Sequence, residues 1–344
     1  MFLKKFVEYT QKFFYQWYYK RFTNQFWPVI SYHKHDISVL NIAYPDRTSI
    51  YHSTSFDAKD TVILSGSYPE NCLFWNITFY DDRGIMFYHV EESDFPLFQY
   101  TIIISQKKDF SPSVIPPCRY FSVIQRLYTV PYEDMFPKYL PNIRVIGKSV
   151  SYPLPETRVI QSTRLQDNFR WFSFYKSPSV VFPNINRHEF FIPSISQMEN
   201  VFMNPQALYM ILFPPSSSSI LRINGVLPPR IGHDCLFQYI SFMTGDLGTT
   251  RTDSAVSYFE LTYKYTLFVC KDATRVKNHP LYDSDTDRIL EWNSCTKCPV
   301  LIFRILLSSF QNIQPHHFFQ DTPVEKDVLE PLFGQIYPRV STIS

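Results

Sequence analysis

The sequence contains little glycine and little charge. Glycine accounts for 8 of 344 residues, so the glycine-rich loops that cradle phosphates in nucleotide-binding enzymes are nearly excluded. Charged residues make up 19% of the chain and the formal net charge is +2, which gives no general attraction to nucleic acid. We therefore expect neither a phosphate-binding loop nor a nucleic-acid partner.

Long apolar runs are absent as well. No stretch approaches the roughly 18 consecutive apolar residues of a transmembrane helix. The first residues, MFLKKFVEYTQKFFYQWYYKRF, lack the uninterrupted apolar region and the cleavage site of a secretory signal. Without a signal, the six cysteines are expected to be free thiols in a reducing compartment, which predicts an intracellular protein.

Aromatic residues and proline are abundant instead. Aromatic residues make up 18% of the chain, and proline occurs 26 times. Phe and Tyr favour strands, and proline suits the ends and edges of many short strands. The length suggests roughly two domains of about 150 residues each. These features predict an all-β protein with two domains.

One short motif occurs twice in the chain. NCLFWNITFYDD (71–82) and DCLFQYISFMTGD (234–246) match in a single ungapped register at Cys72/Cys235, Leu73/Leu236, Phe74/Phe237, Ile77/Ile240 and Phe79/Phe242. Side chains alternate between the two faces of a strand, and here both faces are largely apolar. The motif therefore predicts a strand that is buried on both sides.

The similarity between the two halves extends beyond this strand. The further matches are Gly66 with Gly225, YTIIISQKKD (100–109) with YTLFVCKDAT (265–274), and YFSVIQRLY (120–128) with VLIFRILL (300–307). They indicate a tandem duplication of a β-domain of about 160 residues, the size of one sandwich or jelly roll. The predicted fold is all-β, with two tandem β-sandwich or jelly-roll-like domains, 1–155 and 156–344, and a few short helices.

A true duplication must preserve the register of its strands. A slip of one residue turns the apolar side chains of a strand to the other face. Superposition of the two halves is therefore predicted to place Trp75 over Gln238 and Arg126 over Arg304, on strands with matching inward faces.

Two segments have helical signals. TPVEKDVLEPLF predicts a C-terminal helix near 323–333, with Thr322 as the N-cap and Glu325 completing a capping box. The segment 196–212 is a second candidate, although Pro205 interrupts it.

The N-terminal segment 1–28 is basic and aromatic. Residues 1–35 carry a single acid, Glu8, against Lys4, Lys5, Lys12, Lys20, Arg21 and Lys34. Aromatic residues recur there every three to four positions, as in an amphipathic helix that binds a membrane surface. A fainter match of residues 13–37 to residues 169–192 favours the alternative, that the segment belongs to the first domain.

The strand motifs resemble those of a known family. WNITFYDDRG (75–84) is similar to the W-S-x-T-x-Y-D-x-x-G signature of the domain of unknown function numbered twelve-fourteen, which often accompanies a domain of the twelve-fifty-four type. FSVIQRLYTVP (121–131), followed by LPNI (140–143), resembles the ending of that family's pattern, and YISFMTGDLGTTRTDSAV (239–256) resembles a related one. The second copy departs from that pattern at Ile240, where the pattern has Trp, and at 254–255, where it has Cys.

The resemblance implies an all-β sandwich or jelly roll, with an association with the cell envelope in many bacterial relatives. It implies no catalytic residue. From the residues themselves, we expect no cofactor.

Polar residues follow the repeated strand in both halves. Asp82, Arg83, Asp246 and Arg251 form a candidate ligand-binding set, because loops above a rigid β scaffold commonly carry function. Turn chemistry and local salt bridges are the alternative interpretation.

Arg126 and Arg304 lie inside apolar strands, where a buried arginine needs partners. The sequence therefore predicts two structural ion pairs, Arg126 with Asp82 and Arg304 with Asp246.

Cys295 and Cys298 have the spacing of half a zinc site or of a redox pair. A closed structural zinc site needs four ligands, and the sequence has no second pair at such spacing. Two ordinary buried thiols are the favoured interpretation.

Two functional hypotheses follow. The first is a non-enzymatic structural or interaction protein whose partners are other protein subunits, as part of an assembly such as a particle, a virion or an envelope layer. The alternative is a small-ligand-binding or hydrolytic protein that uses the polar loops between the two halves.

Overall fold

The computed structural model describes residues 27–30, 49–70, 74–81, 85–95, 97–107, 113–128, 139–147, 185–194, 204, 206–216, 219–227, 239–247, 251–294, 296, 298–306 and 322–343. The chain forms two compact units. Unit 1 comprises Met1–Leu40, Thr48–Asn168 and Glu199–Asn204, and unit 2 comprises Asn41–Arg47, Phe169–Met198 and Pro205–Ser344. The boundary predicted at residue 155 lies outside the described residues and stays a prediction.

The described residues of unit 1 form two antiparallel sheets. Its strands are β1 (Trp27–Ile30), β2 (Ser49–Asp57), β3 (Val62–Ser67), β4 (Phe74–Tyr80), β5 (Met86–Glu91), β6 (Gln99–Ile104), β7 (Tyr120–Tyr128) and β8 (Asn142–Val145). One sheet has the order β1-β2-β7-β4-β5 and the other the order β6-β3-β8. β1 includes the last two residues of the segment 1–28; residues 1–26 lie outside the described part, so the amphipathic helix stays a prediction.

Two sheets are likewise formed by the part of unit 2 that the structure describes. Its strands are β9 (Ala207–Leu212), β10 (Ile220–Val226), β11 (Tyr239–Asp246), β12 (Arg251–Ser257), β13 (Lys264–Cys270), β14 (Arg288–Glu291), β15 (Pro299–Leu306) and β16 (Arg339–Ile343). The helices described in this unit are α1 (Ala273–Lys277) and α2 (Lys326–Phe333). The sheet orders are β12-β11-β15-β9 and β14-β13-β10-β16.

The described part of the protein is mostly β structure, as the sequence predicts. Within it, no helix combines the length and the apolarity that crossing a membrane requires.

The two units repeat one strand order. The order β2-β7-β4-β5 of unit 1 corresponds to β9-β15-β11-β12 of unit 2, and β6-β3-β8 corresponds to β13-β10-β16. In both units the chain passes from one sheet to the other and back, which is the behaviour expected of a sandwich with jelly-roll-like connections. Matching strand orders of this kind are what a tandem duplication of one β-domain would produce.

The strand pairings confirm one of the two predicted equivalences and correct the other. Arg126 pairs with Asn76 on β4, and Arg304 pairs with Ser241 on β11, so the two arginines are equivalent. The same pairings make Trp75 equivalent to Ile240, two residues beyond the predicted Gln238. The sequence match failed here because a shift of two residues keeps every side chain on the same face, so both registers are equally apolar.

Independent details support the corrected register. A β-bulge interrupts the pairing between Phe79 and Tyr80 in β4 and between Thr244 and Gly245 in β11. A bulge adds one residue to one strand at a defined place, so it marks register well. The two bulges coincide only in the corrected alignment.

A short 3₁₀ turn follows the edge strand of each unit. In unit 1 the backbone N–H of Glu91 donates to the Asp94 carboxylate at 2.9 Å. In unit 2 the N–H of Ser257 donates to the Glu260 carboxylate, also at 2.9 Å. The same capping interaction thus closes the same turn twice.

A glycine faces a tyrosine in each unit. Gly66 on β3 pairs with Tyr100 on β6, and Gly225 on β10 pairs with Tyr265 on β13. A Cβ atom added at Gly66 would lie 2.6 Å from the Tyr100 hydroxyl, and one at Gly225 would meet the Tyr265 hydroxyl in the same way. Each tyrosine ring therefore occupies the space that any other residue would need.

The inner faces of the two sheets form one apolar core in each unit. In unit 1, Trp75 stacks on Tyr68 with ring centroids 4.6 Å apart and packs against Tyr100 at 4.9 Å. In unit 2, Phe242 stacks on Phe303 at 4.5 Å. Aromatic rings of this size supply much of the buried apolar surface, which explains why the composition predicted sandwiches correctly.

The C-terminal helix exists but begins later than predicted. α2 starts at Lys326 with Glu325 as its N-cap, because Val324 forms a backbone bridge with Ile192 through two hydrogen bonds of 2.9 Å. That bridge holds the predicted first turn in an extended conformation. Leu329 and Phe333 of α2 are buried in the core of unit 2.

The second candidate helix was wrong where the structure describes it. Residues 207–212 form β9, which pairs with the central strand β15. Tertiary pairing decides between helix and strand for a short apolar run, and periodicity alone does not.

The units differ in the connection that precedes their central strand. In unit 2 this connection contains α1 and β14, and β14 pairs in parallel with β13. In the described residues of unit 1, the same position is taken by one parallel bridge between Ile104 and Val114. The described part of this connection is therefore a reduced form of the cover that β14 gives to unit 2.

We predict that Gly66→Ala and Gly225→Ala each lower the free energy of unfolding by about 1–3 kcal/mol, because the new methyl group forces the facing tyrosine away. Urea unfolding followed by fluorescence checks this. Ser67→Ala on the same strand is the control and should change little. Tyr100→Phe should recover part of the loss in Gly66→Ala; an unchanged stability in Gly66→Ala would contradict the packing described.

Candidate functional site

A buried arginine occupies the outer face of the larger sheet of unit 1. The Arg126 guanidinium donates to the Thr78 hydroxyl at 3.1 Å and to the Tyr80 hydroxyl at 2.7 Å. Its central carbon also lies 5.3 Å from the centre of the Tyr51 ring. Only 2% of Arg126 is exposed, so the charge is held by hydroxyl groups and aromatic faces inside the protein.

Further polar groups surround this arginine on the same face. Tyr51 and Tyr128 share a hydroxyl hydrogen bond of 2.9 Å. The Asn76 amide donates to the Asn204 side-chain oxygen at 2.8 Å, and both residues are fully buried. The face is thus a buried polar network rather than a solvent-open cleft.

Unit 2 repeats the arginine and its tyrosine. The Arg304 guanidinium lies 5.2 Å from the centre of the Tyr209 ring. Tyr209 pairs with Arg304, just as Tyr51 pairs with Arg126, so both members are equivalent in the two units. The copied arrangement is therefore an arginine over a tyrosine.

The predicted ion pair between Arg304 and Asp246 is not formed. Asp246 pairs with Pro299, whereas Arg304 pairs with Ser241. The two residues are five positions apart along the paired strands, about 17 Å at 3.4 Å per residue, which exceeds the reach of their side chains. The sequence argument identified a buried arginine correctly but not its neighbours, because strand pairing decides them.

The predicted pair of Arg126 with Asp82 stays a prediction, because Asp82 and Arg83 lie outside the described residues. The corrected register makes Asp81, not Asp82, the equivalent of Asp246. Asp81 is buried, and its carboxylate accepts the backbone N–H of Ile85 at 2.9 Å. It acts there as a turn residue.

Two of the four candidate ligand-binding residues are neighbours. Asp246 and Arg251 are paired across the end of the hairpin formed by β11 and β12. Asp246 is only 2% exposed.

Asp253 has a structural role nearby. Its carboxylate accepts the backbone N–H of Asn293 at 3.1 Å and the hydroxyl of Thr296. These bonds tie the loop before β15 to the edge strand β12, which favours the turn-chemistry interpretation for this acid.

Cys298 is a buried thiol. Burial and the nearby Asp246 carboxylate raise the pKa of Cys298 to about 11, so the thiol stays protonated near neutral pH. Metal binding and redox exchange both need the thiolate, and this environment disfavours it. Cys295 lies outside the described residues, and within the described part no three His, Cys, Asp or Glu side chains are placed to hold a metal ion.

A surface depression of about 340 Å³ lies in unit 2. It is lined by Ile220, Cys270, Lys271, Asp272 and Arg275. Burial, reinforced by Glu291, raises the pKa of Cys270 to about 12, so this thiol is also protonated. Among the described residues that line this depression, none belongs to the predicted site.

The structure reveals a polar chain in the core of unit 1 that sequence reasoning missed. The His52 Nδ1–H donates to the Gln125 side-chain oxygen at 2.8 Å, and the Gln125 amide lies 3.4 Å from the Tyr100 hydroxyl, to which it donates. The signal was present in the sequence: alternation places Gln125 on the same face as Phe121 and Val123. A polar residue in that series indicates a buried network.

Burial controls the titration of this chain. It lowers the pKa of His52 to about 4, although the hydrogen bond to Gln125 opposes the change. It also raises the pKa of the Tyr100 hydroxyl well above its usual value. Both side chains are therefore neutral over the physiological range.

Unit 2 has a different core at the equivalent positions. By strand pairing, His52 corresponds to Met210 and Gln125 to Phe303. The tyrosine is kept, because Tyr100 corresponds to Tyr265. The polar chain is thus specific to unit 1, and unit 2 shows that the fold does not require it.

No protein-family model matches the chain, and no curated protein matches it in sequence. An uncharacterised protein from Burkholderia cenocepacia matches in structure with a TM-score of 0.55 at 10% identity, covering 97% of this chain and 86% of that one. The two proteins share a β fold. A protein from Vibrio parahaemolyticus gives a TM-score of 0.49 at 9% identity, covering 98% of this chain and 97% of that one. At such identities the likeness concerns the fold alone.

We predict that the double variant His52→Met with Gln125→Phe, which copies the core of unit 2, weakens the pH dependence of stability. The unfolded chain binds a proton at His52 near pH 6.5 and the folded chain only near pH 4. The free energy of unfolding should therefore fall by about 3 kcal/mol as the pH drops through this window, and the variant should lack this contribution. Urea unfolding at several pH values measures it, with Met210→Leu as the control. Equal slopes in the parent and the double variant would contradict the assignment.

We also predict that Arg126→Lys lowers the free energy of unfolding by about 2–4 kcal/mol. An ammonium group lacks the planar guanidinium that donates to two hydroxyl groups and packs on the Tyr51 ring. Arg119→Lys is the matched control, since Arg119 lies over the Tyr120 ring but its side chain is 68% exposed. The control should change stability by less than about 0.5 kcal/mol. A similar cost for the two variants would show that the buried arrangement is not specific for arginine.

Proposed function

We propose that this chain is a non-enzymatic structural or interaction protein that works through contacts with other protein subunits. One observation carries the proposal: the polar residues that are most conspicuous within the described strands, above all Arg126 and Arg304, lie buried in the sandwiches. Their described contacts are with hydroxyl groups and aromatic rings of the same unit. A reactive or ligand-binding group has to be reachable from solvent.

The state of the two buried thiols, Cys270 and Cys298, supports the same conclusion. Burial raises the pKa of Cys298 and Cys270 far above neutral, which suits packing and not nucleophilic chemistry. His52 is neutral and deep in the core. Catalysis by general acids and bases depends on pKa values close to the working pH, and these groups have moved away from it.

The surface supplies the second line of support. Large apolar side chains are exposed in both units, among them Leu97 at 81%, Ile115 at 68% and Tyr263 at 61%. Phe98 and Tyr263 occupy equivalent places, because their carbonyl groups accept the N–H of Tyr68 and Leu227 respectively. We propose that these exposed apolar groups contribute to contacts with other subunits, as apolar groups do where they form a continuous patch.

The setting we propose is intracellular, in an assembly such as a particle or an envelope layer, with peripheral membrane contact through residues 1–28. We also propose a divergent relationship to the twelve-fourteen family, on the motifs described above. The β-sandwich build is compatible with both.

The alternative function is a small-ligand-binding or hydrolytic site. The adjacency of Asp246 and Arg251 at one hairpin end favours it. Such a site would lose its ligand in Asp246→Asn, so a thermal-shift screen with parent and variant distinguishes the two proposals. A compound that stabilises the parent alone would favour the alternative.

We predict that the chain sediments with a large assembly when a lysate of cells that express it is fractionated on a density gradient. We expect the chain to sediment much faster than a monomer. The assembly should persist at high salt, because salt screens charge interactions but not apolar contacts. Recombinant chain added to an unrelated lysate is the control for aggregation. A chain found only as a free monomer would argue against the proposed function.

A further inference from the structure

The edge strands of the two units are equivalent but not equally covered. β5 of unit 1 exposes Met86 at 38% and Tyr88 at 42%. At the position of Met86, unit 2 has Thr252, which is 1% exposed. The equivalence follows from the shared bulge and the shared turn, so the comparison is made at matched positions.

Unit 2 covers its edge strand with its own chain. β14 lies in contact with β12, and the Thr244 hydroxyl donates to the Glu291 carbonyl at 2.8 Å. The Asn293 N–H then bonds the Asp253 carboxylate of β12. The connection between β13 and β15 therefore protects the edge.

Unit 1 has no such cover in its described residues. Its counterpart of β14 is the single bridge at Val114, and the next residue, Ile115, is 68% exposed. In the described part of unit 1, β5 has β4 on one side and no strand on the other. Edge strands are usually protected by charged residues, above all lysine, by proline, by a bulge or by a covering segment. MFYHVE contains no lysine or proline, and its protection in the described residues is the bulge near Met86 and the terminal Glu91.

We propose that β5 is a docking strand that pairs with β5 of a second copy of this chain, in antiparallel orientation across a two-fold axis. The inference rests on the proposed function and names one of its contact surfaces. Tyr88 and Met86 of both copies would be covered by the pairing, as β14 covers the equivalent strand of unit 2.

The charge on the strand decides the orientation. Its C-terminal end carries Glu91, followed by Glu92 and Asp94, whereas Met86 and Ile85 at the other end are neutral. Antiparallel pairing sets the acidic end of one copy beside the neutral end of the other. Parallel pairing would set Glu91 beside Glu91, and like charges directly opposite each other destabilise a strand pair. A two-fold axis also closes the assembly at two copies.

The length of the strand limits the affinity. β5 has six residues and spans about 20 Å, so a junction made of it alone buries less than the roughly 1,200 Å² of a standard stable interface. We therefore expect a weak, reversible dimer. Such a contact strengthens when many copies are held together in one assembly.

Sedimentation equilibrium of the purified full chain at about 1–300 μM tests the proposal. The parent should dimerise, and Tyr88→Lys should weaken dimerisation at least tenfold, because lysine on an edge strand opposes pairing. Leu332→Lys is the matched control, since Leu332 is equally exposed at 44% but lies on α2. It should leave dimerisation unchanged.

A cross-linking variant tests the contact even if Tyr88→Lys loses dimerisation because it folds poorly. Tyr88→Cys should give a disulfide-linked dimer under mild oxidation, and Leu332→Cys should not. A parent that remains monomeric at the highest concentration, or a dimer that Tyr88→Lys leaves intact, overturns the proposal. If Tyr88→Lys still sediments with a large assembly while the parent is monomeric, the docking strand is wrong and the proposed function stands.

Discussion

The packing of one tyrosine ring on one glycine underlies the architecture of each unit. Tyr100 lies over Gly66 and Tyr265 over Gly225, where no side chain larger than hydrogen fits. The contact fixes the register between two strands of one sheet, β3 with β6 in unit 1 and β10 with β13 in unit 2. The tyrosine also packs against an aromatic ring of the other sheet, Trp75 or Phe242. A register error of one residue would turn the apolar side chains of a strand from the core to the outer face. A contact that permits a single register therefore constrains the whole sandwich.

The two units show how far one scaffold tolerates different interiors. Unit 1 places a histidine and a glutamine where unit 2 has methionine and phenylalanine, and both remain close-packed. The arginine over a tyrosine is retained in both, on the opposite face of the sheet. The constant element on this face is therefore the arginine over its tyrosine alone, because the hydroxyl partners of Arg126, Thr78 and Tyr80, correspond to Met243 and Gly245 in unit 2.

Sequence patterns predicted the class of fold and the equivalence of Arg126 with Arg304, because alternation and aromatic content report directly on burial. They misplaced Trp75 by two residues, since that shift preserves every face. They also assigned Asp246 to Arg304, a choice that depends on long-range pairing. The polar chain left one trace in the sequence, Gln125, a polar residue among the apolar residues of the inner face. Its partners His52 and Tyr100 lie on other strands, and no local pattern reveals them.

The membership of Asn204 in unit 1 has a consequence for synthesis on the ribosome. The side chain of Asn76 is buried and donates to Asn204, which lies 128 positions later in the chain. A nascent chain that has completed every strand of unit 1 up to β8 still lacks this acceptor, and a missing buried hydrogen bond costs about 1–3 kcal/mol. The first unit therefore reaches its full stability only after the chain has begun to build the second.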